Sequence, residues 1–255
     1  MKNKHKYTMP VLVMIITLVV WEFCVRFFKI SLYILPAPTK IASAIVSDFP
    51  VLWQHSMVTL QEAIIGLVIS TVLAIIIAIG MDMSKSFKTS IYPHLIVTQT
   101  VPVMVLGPLF SIWLGFGLAP KVLIVIFMCF FPIVVSFVDA LGQVDLNQIN
   151  LLKSFGANTF QIYKMVKIPS GAIGLFSGLK VSATYCIGGA IVGEWLSSSA
   201  GLGYYMLRVK NGYMLDKVFA CVVMIILWSL LLHLLVTFIE YLAFPHLRKK
   251  KGEKK

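Results

Sequence analysis

Few side chains in this sequence could make or break a covalent bond, and those that could are scattered. The five histidines (His5, His55, His94, His233, His246) form no HExxH pair or comparable cluster, and metal ligation or general-base catalysis needs such convergence. Cys24, Cys129, Cys186 and Cys221 show neither CxxC nor metal-ligand spacing, so they read as inert buried thiols. No Ser/His/Asp or Cys/His constellation stands out, and no GxxxxGK[ST] phosphate loop is present. The expectation is a chain without catalysis, cofactor or metal of its own. What remains are isolated acids beside apolar runs: Glu62 early in one, Asp139 late in another, Glu194 at the end of a third. An acid in such a place is expensive and tends to face a cavity or a partner. Glu194 could touch a solute, gate a pathway, pair with Arg208 or Lys210, or simply sit at an interface. Trp195 beside it suits an interfacial aromatic belt or a stacking surface for a flat solute. Glu62 and Asp139 are expected near helix ends, and His233 in a hydrogen bond to a neighbouring helix.

The apolar runs that must position these residues dominate the chain. Of 255 residues, 59% are hydrophobic and only 13% charged, against about 25% charged in a soluble domain. The mean hydropathy of +0.91 agrees. Lipid solvates such a surface where water cannot. Runs near 10–28, 57–81, 90–115, 121–141, 172–195 and 217–242 each approach the ~20 residues a bilayer crossing needs. The first follows Lys2, Lys4 and Lys6, but it is long for a signal peptide and no small-x-small site follows, so it reads as a retained anchor. The fold class is therefore all-α: one membrane-embedded helical bundle of about six spans, using residues 1–255 as a single domain. The 90–115 run holds Pro93, Pro102 and Pro108 and should be kinked or broken. Broken backbone is tolerated in a bilayer where protein or a water-filled cavity covers it. Gln99 and Pro102, with Tyr185 and Glu194–Trp195 from the fifth run, are thus candidates to line a pathway; a simple packing kink is the alternative.

The net charge of +12 does not indicate nucleic-acid binding, because the basic residues lie between and beyond the apolar runs rather than along one face. With the N-terminus inside, fifteen of the 22 Lys and Arg fall on inner segments. Seven fall outside: Arg26, Lys29, Lys40, Lys121, Arg208, Lys210 and Lys217. That bias places both termini in the cytoplasm, with the Lys249–Lys255 tail as a solvated anchor beside anionic lipid.

The longest inner segment, 142–171, has a different texture. Ile149, Leu152, Phe155, Phe160, Tyr163 and Val166 recur at helical spacing among Asn, Gln, Lys and Thr. Gly156 interrupts the stripe and Pro169 closes it. Two short helices with a turn at Gly156–Ala157 are expected, with Pro169 ending the second. Farther on, Gly174-x-x-x-Gly178 and Gly189-x-x-x-Gly193 allow close helix approach, as a sliding or a static contact.

Phe155-Gly156-Ala157 followed by Val166-x-Ile168-Pro169 resembles the cytoplasmic loop signature of ABC importer permeases. The Gly-to-Pro spacing matches. The Glu-Ala-Ala triplet that precedes the glycine in that signature does not, since Asn150-Leu151-Leu152 stands in its place. The likeness extends along most of the chain. Ile34–Thr39 is similar to the Leu-Pro-x-Pro segment of the sulfonate, nitrate, taurine and thiamine-precursor permeases. Val101–Pro108 with Trp113–Gly117, Phe130–Ile133, and Gly193-Glu194-Trp195 with Gly201–Tyr204 follow in the same order.

The resemblance implies a permease subunit in a bacterial inner membrane, without enzyme activity. ABC ATPase subunits that bind the ATP would dock at Leu151, Leu152, Phe155, Gly156, Ala157, Val166, Ile168 and Pro169. A second permease subunit, implied as a homodimer partner, would complete the channel. An extracytoplasmic solute-binding protein would deliver solute near 29–55 and 197–216. Gly193–Trp195 and Tyr204–Arg208 look closer to permeases for the pyrimidine precursor of thiamine, with sulfonate, taurine or nitrate-like anions as the alternative. An ion-coupled secondary transporter is the alternative from another class. It would need internal acids or an inverted repeat, and the chain has few acids and no obvious repeat.

Overall fold

Lipid offers no hydrogen bonds, so a chain this apolar must satisfy its backbone within helices. The structure, a computed structural model, describes residues 5–244, and no strand occurs among them. The helices are α1 (His5–Phe27), α2 (Pro38–Ser47), α3 (Phe49–Met83), α4 (Lys85–Thr100), α5 (Val103–Leu114), α6 (Leu118–Gly142), α7 (Leu146–Ser154), α8 (Thr159–Ile162), α9 (Ile168–Ser197), α10 (Leu202–Asn211) and α11 (Leu215–Ala243). A π turn, Tyr163–Lys167, joins α8 to α9. Among the described residues, five stretches are long and apolar enough to cross a membrane: Thr8–Phe27, Phe49–Met83, Leu118–Gly142, Thr159–Leu196 and Leu215–Ala243. Helices α4 and α5 make a sixth if counted together, bent by 99° at their break. The Lys249–Lys255 tail lies outside the described residues.

The break is where the prolines demand it. Pro102 lacks the N–H that would continue the helix and pushes Val101 toward extended geometry. Both residues are extended, Val101 at φ −80°, ψ 120° and Pro102 at φ −60°, ψ 122°. The second span starts at Phe49 rather than near residue 57, because Pro50 fits the first turn of a helix and the polar Gln54, His55 and Ser56 continue it. At ~1.5 Å per residue α3 is ~52 Å long, well beyond the ~30 Å hydrocarbon core.

The bundle is built around α6 and α9, which share its most extensive helix contact. Both GxxxG motifs lie on the α9 face that meets α6. A Cβ on Gly178 would stand 2.6 Å from the Pro132 carbonyl oxygen, one on Gly193 2.9 Å from the Lys121 Cα, and one on Gly174 would overlap Ser136 and Ala140. Between the motifs the Ser182 hydroxyl donates to the Cys129 carbonyl at 2.8 Å. Val125, Cys129, Ile133, Phe137, Cys186, Ile187 and Ala190 fill the seam and are fully buried. α3 packs along α6 on one side and α11 along α9 on the other. α1 stands apart, with most of its apolar side chains exposed, as a lipid-facing helix requires.

Candidate functional site

The α7–α8 segment folds on itself before it meets anything else. Asp145 caps α7, its carboxylate accepting from the Asn147 N–H at 2.9 Å. At the other end the Gly156 N–H bonds the Lys153 carbonyl and the Ala157 N–H bonds the Leu152 carbonyl. Together these form a Schellman motif, with Gly156 at φ +78°, where a side chain would be strained. Asn158 then opens α8 through a reciprocal box: its side chain accepts from the Gln161 N–H at 2.9 Å, and its own N–H donates to Gln161 Oε1 at 2.8 Å. Val144, Ile149 and Ile162 form a small core, with Leu152, Ala157 and Val166 packed against it. The apolar stripe expected on one face is therefore divided. Ile149, Leu152 and Val166 hold the hairpin together. Leu146, Leu151, Phe155, Phe160 and Met165 point outward, with Phe155 79% and Phe160 73% exposed.

Pro169 does not end a helix here. The chain runs helically from Thr159 to Ser197. Pro169 has no N–H, and its ring crowds the carbonyl four residues back. The π turn before it absorbs this misfit, with the Ile168 N–H reaching the Tyr163 carbonyl five residues earlier. The turn is anchored to α3: Asp82 Oδ2 accepts from the Tyr163 hydroxyl and pairs with Lys167 Nζ, whose ammonium lies 5.1 Å from the Tyr163 ring centroid.

In the N-terminal half of α3, about 30 Å from Asp82, lies a second buried network. Lys121 pairs with Glu62 Oε1 and donates to Ser198 Oγ at 3.1 Å. Glu194 Oε1 lies 2.6 Å from the Thr59 hydroxyl, and Oε2 accepts from the Gly203 N–H at 2.5 Å. Thr59 Oγ1 accepts from the Leu202 N–H at 2.8 Å, and His55 Nδ1 from the Gly201 N–H at 3.1 Å. Glu62 and Glu194 are each 1% exposed and Lys121 6%. Gly201, at φ +109°, has no room for a side chain because a Cβ would overlap the Glu194 carboxyl group.

This network floors a cavity of 560 Å³ lined by Phe116, Lys121, Glu194, Trp195, Ser198 and Tyr204. A smaller one, 250 Å³, opens at the α4–α5 break between Gln99, Phe127, Pro132 and Tyr185. Asp48, just before α3, ties α10 and α11 together, accepting from the Tyr205 hydroxyl at 2.7 Å and pairing with Lys217 at 2.7 Å. Burial works to raise the Asp48 carboxyl, but the hydrogen bonds from Lys217 and Tyr205 outweigh it and hold it below the usual carboxylate range.

Residues 70–249 match the family described as "Binding-protein-dependent transport system inner membrane component". The chain belongs to that family. A probable ABC transporter permease protein of Haemophilus influenzae is 28% identical over 230 residues, covering 90% of this chain and 94% of the relative. The formylaminopyrimidine transport permease protein ThiX of Halalkalibacterium halodurans is 29% identical over 251 residues, 98% of this chain and 100% of the relative. Other relatives carry names for riboflavin, aliphatic sulfonate and taurine transport. A crystal structure of an amino acid ABC transporter superposes with a TM-score of 0.63 at 17% identity, covering 77% of this chain and 95% of that one. The chain is thus a multi-pass ABC importer permease, and its relatives are named as transport subunits rather than enzymes.

Several of the permease's sequence-marked residues stand elsewhere than expected. Glu194 pairs with neither Arg208 nor Lys210; it is turned inward, to Thr59 and the Gly203 backbone. Glu62 is not near a helix end but within α3, and Lys121 is not a loop charge but its buried partner. Gln99 and Tyr185 share the smaller cavity, Pro102 sits at the break between its lining residues Val101 and Val103, and Glu194 and Trp195 line the larger one, so the five pathway candidates divide between two places. His233 reaches the Lys180 carbonyl at 3.3 Å, a bond between α11 and α9. Thr59, Asp82, Lys121 and Ser198 were missed as site residues. One signal was available for Lys121: a lone cation opening a strongly apolar run calls for a buried acid, and Glu62 is an acid inside another such run.

Proposed function

We propose that this permease works as a homodimer with both termini in the cytoplasm, moving a small flat heterocycle, a thiamine pyrimidine precursor or a close relative, by alternating access. A cytoplasmic ATPase subunit binds the ATP and grips the α7–α8 segment. An extracytoplasmic binding protein delivers the solute at the opposite end, above the cavity that Trp195 and Tyr204 flank. The observation that carries this reading is the outward set of apolar side chains on α7–α8. Leu151, Phe155 and Phe160 project from a self-supporting hairpin with polar neighbours, which suits insertion into a groove of a partner. Leu152, Ala157 and Val166 shape the hairpin, Gly156 supplies its turn, and Ile168 and Pro169 lead it into α9.

The substrate class rests on the larger cavity. Phe116, Trp195 and Tyr204 line it with aromatic rings, while the charge of Lys121 is already answered by Glu62. A site whose lysine is neutralised gives an anion little attraction, which favours an uncharged ring over a sulfonate. The relative named for formylaminopyrimidine transport is in keeping with this. A second reading, sulfonate or taurine import, draws support from relatives with those names. Uptake of labelled formylaminopyrimidine and of labelled taurine in a deletion strain separates the two. Pyrimidine uptake restored by the wild-type gene, with taurine uptake unchanged, is expected; the reverse pattern rejects the heterocycle.

A further inference from the structure

We infer that Asp82 is the joint through which movement of the α7–α8 segment reaches α3, and that α3 carries it as one rod to the Glu62–Lys121–Glu194 network. The inference rests on the ATPase-docking reading proposed above. The α8–π segment is continuous with α9, so any force on it already reaches α9 along the backbone. α9 packs on α3 farther along, but at the π turn itself the link to α3 is Asp82, whose carboxylate holds Tyr163 and Lys167, the first and last residues of that turn. The junction is largely dry, with the Asp82 side chain 9% exposed and that of Lys167 16%. A π turn is a place where a helix changes its winding, and this one is clamped at both ends to a neighbouring span.

From Asp82 to Glu62, α3 is uninterrupted and free of proline, a distance of ~30 Å at ~1.5 Å per residue. At its far end Glu62 engages Lys121 of α6. One turn earlier, Thr59 engages Glu194 of α9 and the Leu202 N–H that opens α10. The residues that would feel a shift of α3 are those that floor the larger cavity. Buried polar networks of this kind have few alternative arrangements, so a rigid displacement is passed on or the network breaks.

The test uses the full permease–ATPase complex and needs no solute. A reporter cysteine replaces Leu207, which lines the larger cavity. Cys24 is changed to Ser, leaving the buried Cys129, Cys186 and Cys221. Maleimide labelling is timed without nucleotide and with ATP and vanadate. The rates should differ at least about fivefold in the parent. In Asp82→Asn that difference should be lost while the ATPase stays associated, and the exchange Asp82→Lys with Lys167→Asp should restore most of it. If Asp82→Asn does not reach the membrane, Lys167→Gln is read in the same way. A full nucleotide response in the folded Asp82 or Lys167 variant overturns the inference. So does a parent complex that binds ATPase but shows no response at Leu207. Failure of the parent to bind ATPase removes the docking reading and this inference with it.

Discussion

Lys121 and Glu62 neutralise one another inside the bundle, and the value of each depends on the other. Removing one partner strands a buried charge, at a cost of about 3–5 kcal/mol, whereas removing both leaves an apolar contact. Lys121→Met should therefore lower thermal stability in detergent strongly, and Glu62→Met with Lys121→Met should recover most of the loss. Additive losses in the double variant would show that the pair is not a unit. Asp48 allows a test by pH. Its folded carboxyl titrates below the unfolded value of about 3.9. Its ion pair thus stabilises fully above that value, and the gain is lost as pH falls through the lower folded value. The melting temperature of wild type should exceed that of Asp48→Asn at pH 7, and the gap should close below about pH 4. A gap that persists at low pH would contradict the Asp48 assignment. At this scale the sequence was only partly legible. Glu194 could be singled out because an acid in an apolar run is conspicuous, but its partners Thr59 and Gly203 come from folding, not from spacing. Lys121 was misread because a charge at the edge of a hydropathy window looks like a loop charge whether it points out or in.

The helices themselves were far easier to read. Long apolar runs have few alternatives to a spanning helix, and the prolines at 93, 102 and 108 marked the run that breaks. The Gly156 turn was also legible, since a glycine ending an amphipathic stretch serves as a C-cap. Pro169 was not: whether a proline ends a helix or is absorbed depends on the turn before it, and the π turn owes its anchorage to Asp82, 81 residues from Tyr163. The GxxxG motifs left sliding and static packing open, and the seam makes a definite claim about space. Gly178→Ala should destabilise by about 1–3 kcal/mol through overpacking against Pro132 and Ile133. Gly188→Ala, with nothing within 4 Å of the added methyl group, should be neutral or slightly stabilising, as Ala is the better helix former. Thermal unfolding of the two variants side by side checks this, and equal effects would contradict the close α6–α9 contact.

For the molecule as a whole, two polar networks bracket one long helix: the hairpin at one end, the aromatic cavity at the other. On the docking proposed above, transport requires that the ATPase subunit hold the hairpin. Phe155→Asp with Phe160→Asp keeps the Schellman turn and the inner core of Ile149, Leu152 and Ile162, so the hairpin should still form. These changes should nonetheless cut solute uptake at least about tenfold, because truncating anchors at an interface centre costs about 2 kcal/mol or more each. The most direct measurement is site-specific cross-linking in membranes that contain the cognate ATPase, with a photoreactive residue at Phe155 and, as a control, at Trp195. An adduct with the ATPase is expected from position 155 and none from 195. An adduct from 195 alone, or from neither position while the complex co-purifies intact, would contradict that docking.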